Sequence, residues 1–292
     1  MYYLLYGFLY TFSLLPWKIL YLISDGAYSL VYYIIGYRRQ VVMSNLLIAF
    51  PEKTPPERVK IAKEFYHNFL DTFIETIKFL SLSDKEFSKR LTGNFELLSD
   101  LYNTGQNVQL QSGHFFNWEY MNWGTSRNSP FPFIGVYAPV SNKAFDKIMF
   151  KIRSRYNTIL ISIYEFKNKF HQLAKDRYAL ALIADQNPGV SEKGYWLPFF
   201  GKLTAFVTGP EKSARINNAA IVFVHFFKVK RGYYHADFEL LTTEPSQFLR
   251  GELTKKYVSY LEKCIQKKPA NYLWSHRRWK WEYREEFKKL VI

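Results

Sequence analysis

Val108-Gln109-Leu110-Gln111-Ser112-Gly113-His114-Phe115-Phe116-Asn117-Trp118-Glu119 is the stretch on which the fold turns. Val108–Gln111 reads as a short strand, and Gly113 allows a tight exit from it. His114 then stands at the strand's carboxyl end, where α/β sheets hold their ligands. Glu119 follows about one helical turn along the crossover. A carboxylate so placed can accept the N–H of one His114 ring nitrogen. That fixes the tautomer and leaves the other nitrogen as a general base. Such a pair can deprotonate a hydroxyl or amine for acyl transfer. The plainer reading of His114 is a buried, hydrogen-bonded core histidine. Spacing alone does not decide, because six histidines and 25 acidic residues make a chance pair unsurprising. His171 and Asp176 repeat the spacing inside Phe166–Asp176, a surface-helix pattern without a strand end, and are read as chance.

Outward from this stretch, Phe133–Tyr137, Thr158–Ile163, Tyr178–Ala184, Ala219–Phe227 and Tyr233–Leu241 read as further strands. Asn142–Arg155, Phe166–Asp176, Thr208–Asn218 and Arg250–Lys267 read as helices between or after them. Alternation of this kind predicts an α/β domain with a largely parallel sheet. Before it, Glu57–Leu80 has helical spacing, with Ala62, Phe65, Phe69, Phe73, Ile77 and Leu80 on one stripe that reads as core. Pro51, Pro55 and Pro56 mark a break. The expected organisation is a hydrophobic helical region over 1–50 and an α/β domain over 51–292, of which 51–105 is a leading helical part.

Residues 1–37 contain only Lys18 and Asp25 as charged side chains. Met1–Trp17 is uncharged and just reaches the lower limit for a spanning helix, about 17 residues, but includes Pro16. No basic n-region or small-residue cleavage site marks a signal peptide. Tyr and Trp are scattered through the stretch, and Arg38 and Arg39 follow it. An interfacial membrane anchor fits better than a full span, and a pair of buried hairpin helices in a soluble core is the alternative. The whole chain of 292 residues carries 40 Lys+Arg against 25 Asp+Glu, a net charge of +15, with 19% aromatic residues. Such a protein suits an anionic partner, whether nucleic acid, acidic protein or membrane surface. The single cysteine, Cys264, excludes an intramolecular disulfide framework and a multi-cysteine metal site.

A second polar element, Asp185-Gln186-Asn187-Pro188-Gly189, ends the nearly all-apolar run Tyr178–Ala184. Asp185 and Gln186 either orient substrate or form a simple Asx-Pro-Gly turn. Trp196–Gly201 either lines an acyl-chain pocket or fills core. In Trp274-Ser275-His276-Arg277-Arg278-Trp279-Lys280, the arginines suit phosphate or a lipid head group, since guanidinium binds phosphate in bidentate fashion. An ordinary basic surface face is the alternative. His225 reads as a core histidine. No G-x-S-x-G, Walker A or G-x-G-x-x-G motif occurs.

Four blocks in order carry a resemblance that spans nearly the whole chain. They are Tyr37-Arg38-Arg39 with Asn45-Leu46 and Ala49-Phe50-Pro51-Glu52; Gly113–Glu119; Ala184–Gly189 with Pro198-Phe199-Phe200-Gly201; and Tyr272–Lys280. Together they resemble the bacterial lipid A late (secondary) acyltransferases, lauroyl/myristoyl acyltransferase-like enzymes of the lysophospholipid acyltransferase superfamily. Two positions depart from the family pattern: Ala138 stands where arginine is usual, and Asn157 where glycine is usual.

The resemblance implies a glycerol-3-phosphate acyltransferase-like sheet with flanking helices, preceded by a helical membrane-anchoring region. It implies an O-acyltransferase that moves a fatty acyl chain from acyl carrier protein to a hydroxyl of a lipid A precursor, at the bacterial inner membrane and facing the cytoplasm. His114 is then the base and Glu119 its partner, with Arg153, Arg155, Asp185, Gln186, Arg277 and Arg278 as substrate-binding residues. No metal, cofactor or nucleic acid is called for. The acidic carrier and an anionic lipid acceptor give the +15 charge a physical reason. Another glycolipid or aminolipid acceptor is the nearest alternative reading, and a non-catalytic membrane-surface protein the next.

Overall fold

The computed structural model describes residues 1–174 and 176–292. Its strands are β1 (Leu91–Gly93), β2 (Val108–Ser112), β3 (Phe133–Tyr137), β4 (Ile159–Ser162), β5 (Ala179–Ile183), β6 (Gly194–Phe199), β7 (Lys202–Val207), β8 (Ala220–Lys230) and β9 (Tyr233–Thr242). Its helices are α1 (Tyr2–Ser13), α2 (Trp17–Ser29, continued by a π-helical stretch Leu30–Ile35), α3 (Arg39–Ala49), α4 (Pro55–Lys78), α5 (Asp84–Arg90), α6 (Glu96–Asn103), α7 (Trp118–Asn128), α8 (Lys143–Arg153), α9 (Phe166–Leu173), α10 (Gly209–Ile216) and α11 (Glu252–Lys267).

Seven strands form one sheet in the order β1-β9-β8-β2-β5-β3-β4. Every pairing in it is parallel except β8 with β9. The expected mixed α/β architecture, a central sheet with flanking helices, is therefore present. β2 is buried along its whole length, as a strand covered on both faces must be. Two of its polar side chains have partners within the fold: Gln109 Nε2 donates to the Pro210 carbonyl at 3.0 Å and Ser112 Oγ to that of Val224 at 2.8 Å.

Trp196–Gly201 takes the core-filling alternative of its two readings and enters the β6–β7 hairpin, a separate two-stranded sheet. Phe200 and Gly201 both take positive φ at its turn, the twist that a two-residue hairpin requires. Trp196 and Phe199 are fully buried. Helix α4 starts at a capping box, where Thr54 N–H donates to Glu57 Oε2 at 2.7 Å. It is buried on more than its apolar stripe. Asp71, Thr72 and Glu75 on its polar side are also inside, while Phe73 is half exposed.

The cause is α2, which lies on that polar side. Arg231, at the β8–β9 turn, donates to both Asp25 of α2 and Asp71 of α4. Among the described residues, no single helix is long and apolar enough to cross a membrane. The pair Tyr2–Ser13 and Trp17–Ile35 meets the requirement together but is bent by 112°.

Candidate active site

β2 and β5 end side by side. Ser112 pairs with Ile183, so His114 and Asp185, each two residues further on, leave the sheet at the same level. His114 Nδ1–H donates to Asp185 Oδ1 at 2.6 Å, and the His114 backbone N–H donates to Oδ2 at 3.1 Å. Asp185 is fully buried. Burial alone raises its carboxyl, but the His114 charge and these hydrogen bonds outweigh it and hold the group below the usual carboxylate range. With the proton fixed on Nδ1, Nε2 carries the lone pair. The Gln186 amide Nε2–H points at it from 3.2 Å. The His114 side chain is 24% exposed, enough for a substrate to reach Nε2.

Glu119 is not the partner of His114. Its carboxylate takes a bidentate ion pair from Arg153: Nη2 to Oε1 at 2.6 Å, Nε to Oε1 at 3.0 Å and Nε to Oε2 at 3.1 Å. The crossover carries Glu119 past the histidine and toward α8. Asn117 caps α7 by accepting the Glu119 N–H on Oδ1 at 3.0 Å. Burial lowers the Arg153 guanidinium, but the Glu119 charge and hydrogen bonds bring it back above its ordinary value, so it stays charged.

A cavity of about 320 Å³ lies beneath His114, walled by α7 and by β3 and β5. Phe133, Gly135, Leu160 and Ile183 give it an apolar interior, and Arg153 and Glu119 stand in its wall. A second cavity of about 320 Å³ shares Trp118, Glu119 and Arg153 with the first. It runs toward Phe73 and Ile77 of α4 and Leu9 of α1. Half of the α4 stripe that reads as core therefore lines an open apolar space. Ala138 is at the exposed edge of the first cavity.

The other expected site residues divide. Arg278 turns into the protein: it is 1% exposed, donates to Asn187 Oδ1 and the Ala205 carbonyl at 2.9 Å each, and lies 4.0 Å from the Phe206 ring centre. Arg277 is exposed, and its carbonyl accepts from Asn187 Nδ2 at 2.6 Å. Asn187 thus binds the carboxyl-terminal block rather than closing a simple turn. Arg155 points away from His114, to the Phe79 carbonyl and Asp84. Its neighbour Asn157 has φ +64°, which glycine takes freely and asparagine tolerates, so the departure there keeps the backbone.

Asn45 Nδ2 donates to the carbonyls of Trp274 (2.8 Å) and His276 (2.7 Å), and Arg38 to that of Ser275 (3.0 Å). The first and last sequence blocks are thus a clamp behind the site. His171 is exposed on α9, as a chance match should be. Sequence reasoning missed Asp185 as the histidine's partner. The available signal was that two buried strands each end in a polar turn.

A largely parallel sheet thus carries a carboxylate-backed histidine at its carboxyl edge, set over an apolar cavity, an arrangement with the chemistry for acyl transfer. The chain belongs to the family described as bacterial lipid A biosynthesis acyltransferase, which matches residues 1–281. It is 26% identical over 283 residues to the lipid A biosynthesis lauroyltransferase of Escherichia coli (strain K12), covering 94% of this chain and 89% of that one. It is 23% identical over 280 residues to the lipid A biosynthesis palmitoleoyltransferase of the same strain, and to the lipid A biosynthesis acyltransferase of Shigella flexneri, with the same coverage.

Proposed function

We propose that the protein transfers a fatty acyl chain from an acyl carrier protein thioester to a hydroxyl of a lipid A precursor at the cytoplasmic face of the inner membrane. The observation that carries this reading is the His114–Asp185 pair over the apolar cavity. The donor's acyl chain lies in the cavity beneath His114, which places its carbonyl at the cavity mouth. The second cavity takes a chain of the lipid acceptor. The acceptor hydroxyl displaces the Gln186 amide from His114 Nε2 and gives up its proton there as its oxygen attacks the thioester carbonyl. Asp185 holds the ring and stabilises the imidazolium that forms. Collapse of the tetrahedral intermediate expels the thiolate, which takes the proton back from His114. Arg153, held by Glu119, puts a positive charge beside the reacting groups, and exposed Arg277 is placed to meet a head-group phosphate.

The amino-terminal hairpin supports a membrane location. Leu4, Phe8, Leu22 and Ile34 are between 68% and 81% exposed. A bent pair with so much outward apolar surface suits one leaflet rather than a span. The test is transfer from a labelled acyl thioester of acyl carrier protein to a lipid A precursor. His114→Ala should abolish it while the circular dichroism spectrum is unchanged. A folded His114→Ala protein working at the wild-type rate overturns the reading. Turnover of another amphiphile alone moves the acceptor and leaves the chemistry.

A further inference from the structure

Helix α4 holds a carboxylate that this chemistry does not use. Glu75 is fully buried and accepts hydrogen bonds from three different parts of the fold. Oε1 accepts from the Tyr21 hydroxyl of α2 at 2.9 Å. Oε2 accepts from the Tyr234 hydroxyl of β9 at 2.7 Å and from the Asn117 amide Nδ2 at 3.1 Å. Burial, with Asp71 one turn earlier, lifts the Glu75 carboxyl to about 7, and its three donors only partly offset this. A buried carboxyl is costly, and an apolar side chain fills such a space at less cost. What Glu75 supplies that an apolar residue does not is an acceptor for Tyr21, Tyr234 and Asn117, and of these Asn117 stands in the segment between His114 and Glu119.

We propose that Glu75 is a positioning residue for acyl transfer: through Asn117 it fixes the segment that joins the catalytic histidine to Glu119. The inference rests on the function given above. The segment is held at its start by Asp185 and in its middle by the main chain. There, Phe116 N–H donates to the Asn271 carbonyl at 2.9 Å, and the His114 carbonyl accepts from Leu273 N–H at 3.1 Å. At its end the Asn117 carbonyl accepts from Tyr120 N–H at 3.1 Å, and the Asn117 side-chain amide adds the link to α4. Asn117 Oδ1 holds the first turn of α7, and Nδ2 is held by Glu75. With Nδ2 released, the amide turns, and α7 shifts with the Glu119–Arg153 pair relative to His114. A displacement near 1 Å is enough to slow a reaction about a hundredfold.

The experiment uses the full chain, with kcat and KM measured for the acyl carrier protein thioester and the lipid A precursor, and thermal unfolding alongside. Glu75→Leu and Asn117→Ser should each lower kcat by about ten- to a hundredfold with KM little changed. Serine still caps a helix but cannot reach Glu75, so Asn117→Ser isolates the link from the cap and keeps the test decisive where Glu75→Leu fails to fold. Glu75→Gln keeps an acceptor for Nδ2 and should stay near the wild-type kcat. The double variant Glu75→Leu/Asn117→Ser should be no slower than the slower single, since both break one link. Ser24→Ala removes the buried bond from Ser24 Oγ to Asp71 at 2.7 Å on the same pair of helices. It should lower the melting temperature and leave kcat alone.

Wild-type kcat in Asn117→Ser, a Glu75→Gln variant as slow as Glu75→Leu, multiplying losses in the double variant, or an equal loss in Ser24→Ala each overturn the proposal. A wild-type protein that transfers no acyl chain overturns instead the function on which it rests.

Discussion

His114 and Asp185 meet because their strands are in register, not because their sequence positions are related. β2 and β5 run parallel with Ser112 opposite Ile183, and two more residues on each strand bring Nδ1 and Oδ1 to 2.6 Å. The two groups leave the sheet beside each other at its carboxyl edge, where crossovers open a crevice. Fixing the proton on Nδ1 leaves the outward nitrogen, Nε2, basic.

Asp185→Asn should therefore cost more in kcat than Glu119→Gln. The asparagine amide can donate to Nδ1, which favours the tautomer with its proton on Nε2 and removes the base. The expected loss is on the order of 10²- to 10⁴-fold. Initial rates of acyl transfer check this. A larger loss in Glu119→Gln than in Asp185→Asn restores Glu119 as the histidine's functional partner.

The Glu119–Arg153 pair should behave as a unit. The Glu119 side chain is 3% exposed and that of Arg153 20%. Removing one member leaves the other unpaired inside the protein, at about 3 kcal/mol or more. Glu119→Leu and Arg153→Met should each lower stability in urea. The double variant should lose less than the sum of the two. Additive losses show that the pair is not coupled.

How far these contacts were legible in the sequence differs from residue to residue. β3 runs over the expected Phe133–Tyr137, because a buried strand shows as an apolar run between turns. The place of His114 could be read for the same reason. The partner could not be: Asp185 is 71 positions away, and only strand order brings β5 beside β2. Arg277-Arg278-Trp279-Lys280 looks like a solvated basic face. Yet Arg278 turns inward under the Phe206 ring while Arg277 turns outward, an alternation that composition hides. Likewise Asp71 and Glu75 mark a polar helix face, and nothing local says that α2 will cover it.

The amino-terminal hairpin should hold the protein on lipid through its outward apolar side chains. Replacing Leu4, Phe8, Leu22 and Ile34 together by serine leaves in place the α2–α4 bonds of Tyr21 and Ser24 and the bond of Asp25 to Arg231. Vesicles containing anionic lipid should float the wild-type protein and not this variant at high salt, where surface charge is screened. Flotation of both overturns the anchor.

Acid should destabilise the protein partly through His225. It is buried in β8, and burial, followed by the charges of Lys267 and Lys268, lowers its imidazole to about 4. The unfolded chain, with an ordinary value near 6.5, binds more protons between those limits. Stability is therefore complete above about pH 6.5 and is lost as the pH falls toward 4. A shift of this size corresponds to about 3 kcal/mol. Urea unfolding of His225→Phe should show a shallower pH slope than the wild type over that interval. An unchanged slope means that another group supplies the acid sensitivity.

Gly135 should set how deep an acyl chain reaches. It lies on β3 in the cavity beneath His114. A Cβ built there meets Thr158 Cγ2 at 3.4 Å and Leu160 Cδ2 at 3.5 Å, which is ordinary contact. Gly135→Ala should thus fold normally and change little. Gly135→Leu adds three more carbons with nowhere to go but the cavity. Its occupancy there excludes the far end of a long chain and leaves the carbonyl position at His114 untouched. For donors of increasing chain length, kcat/KM should peak at a shorter chain in Gly135→Leu, with the rate for short donors preserved. One missing methylene contact is worth about 1 kcal/mol, so the preference for long donors should fall by roughly fivefold or more for each carbon displaced. A uniform fall at every chain length points to distortion around His114 instead. An unchanged profile means that the donor's chain lies in the other cavity, along Ile77 and Leu9.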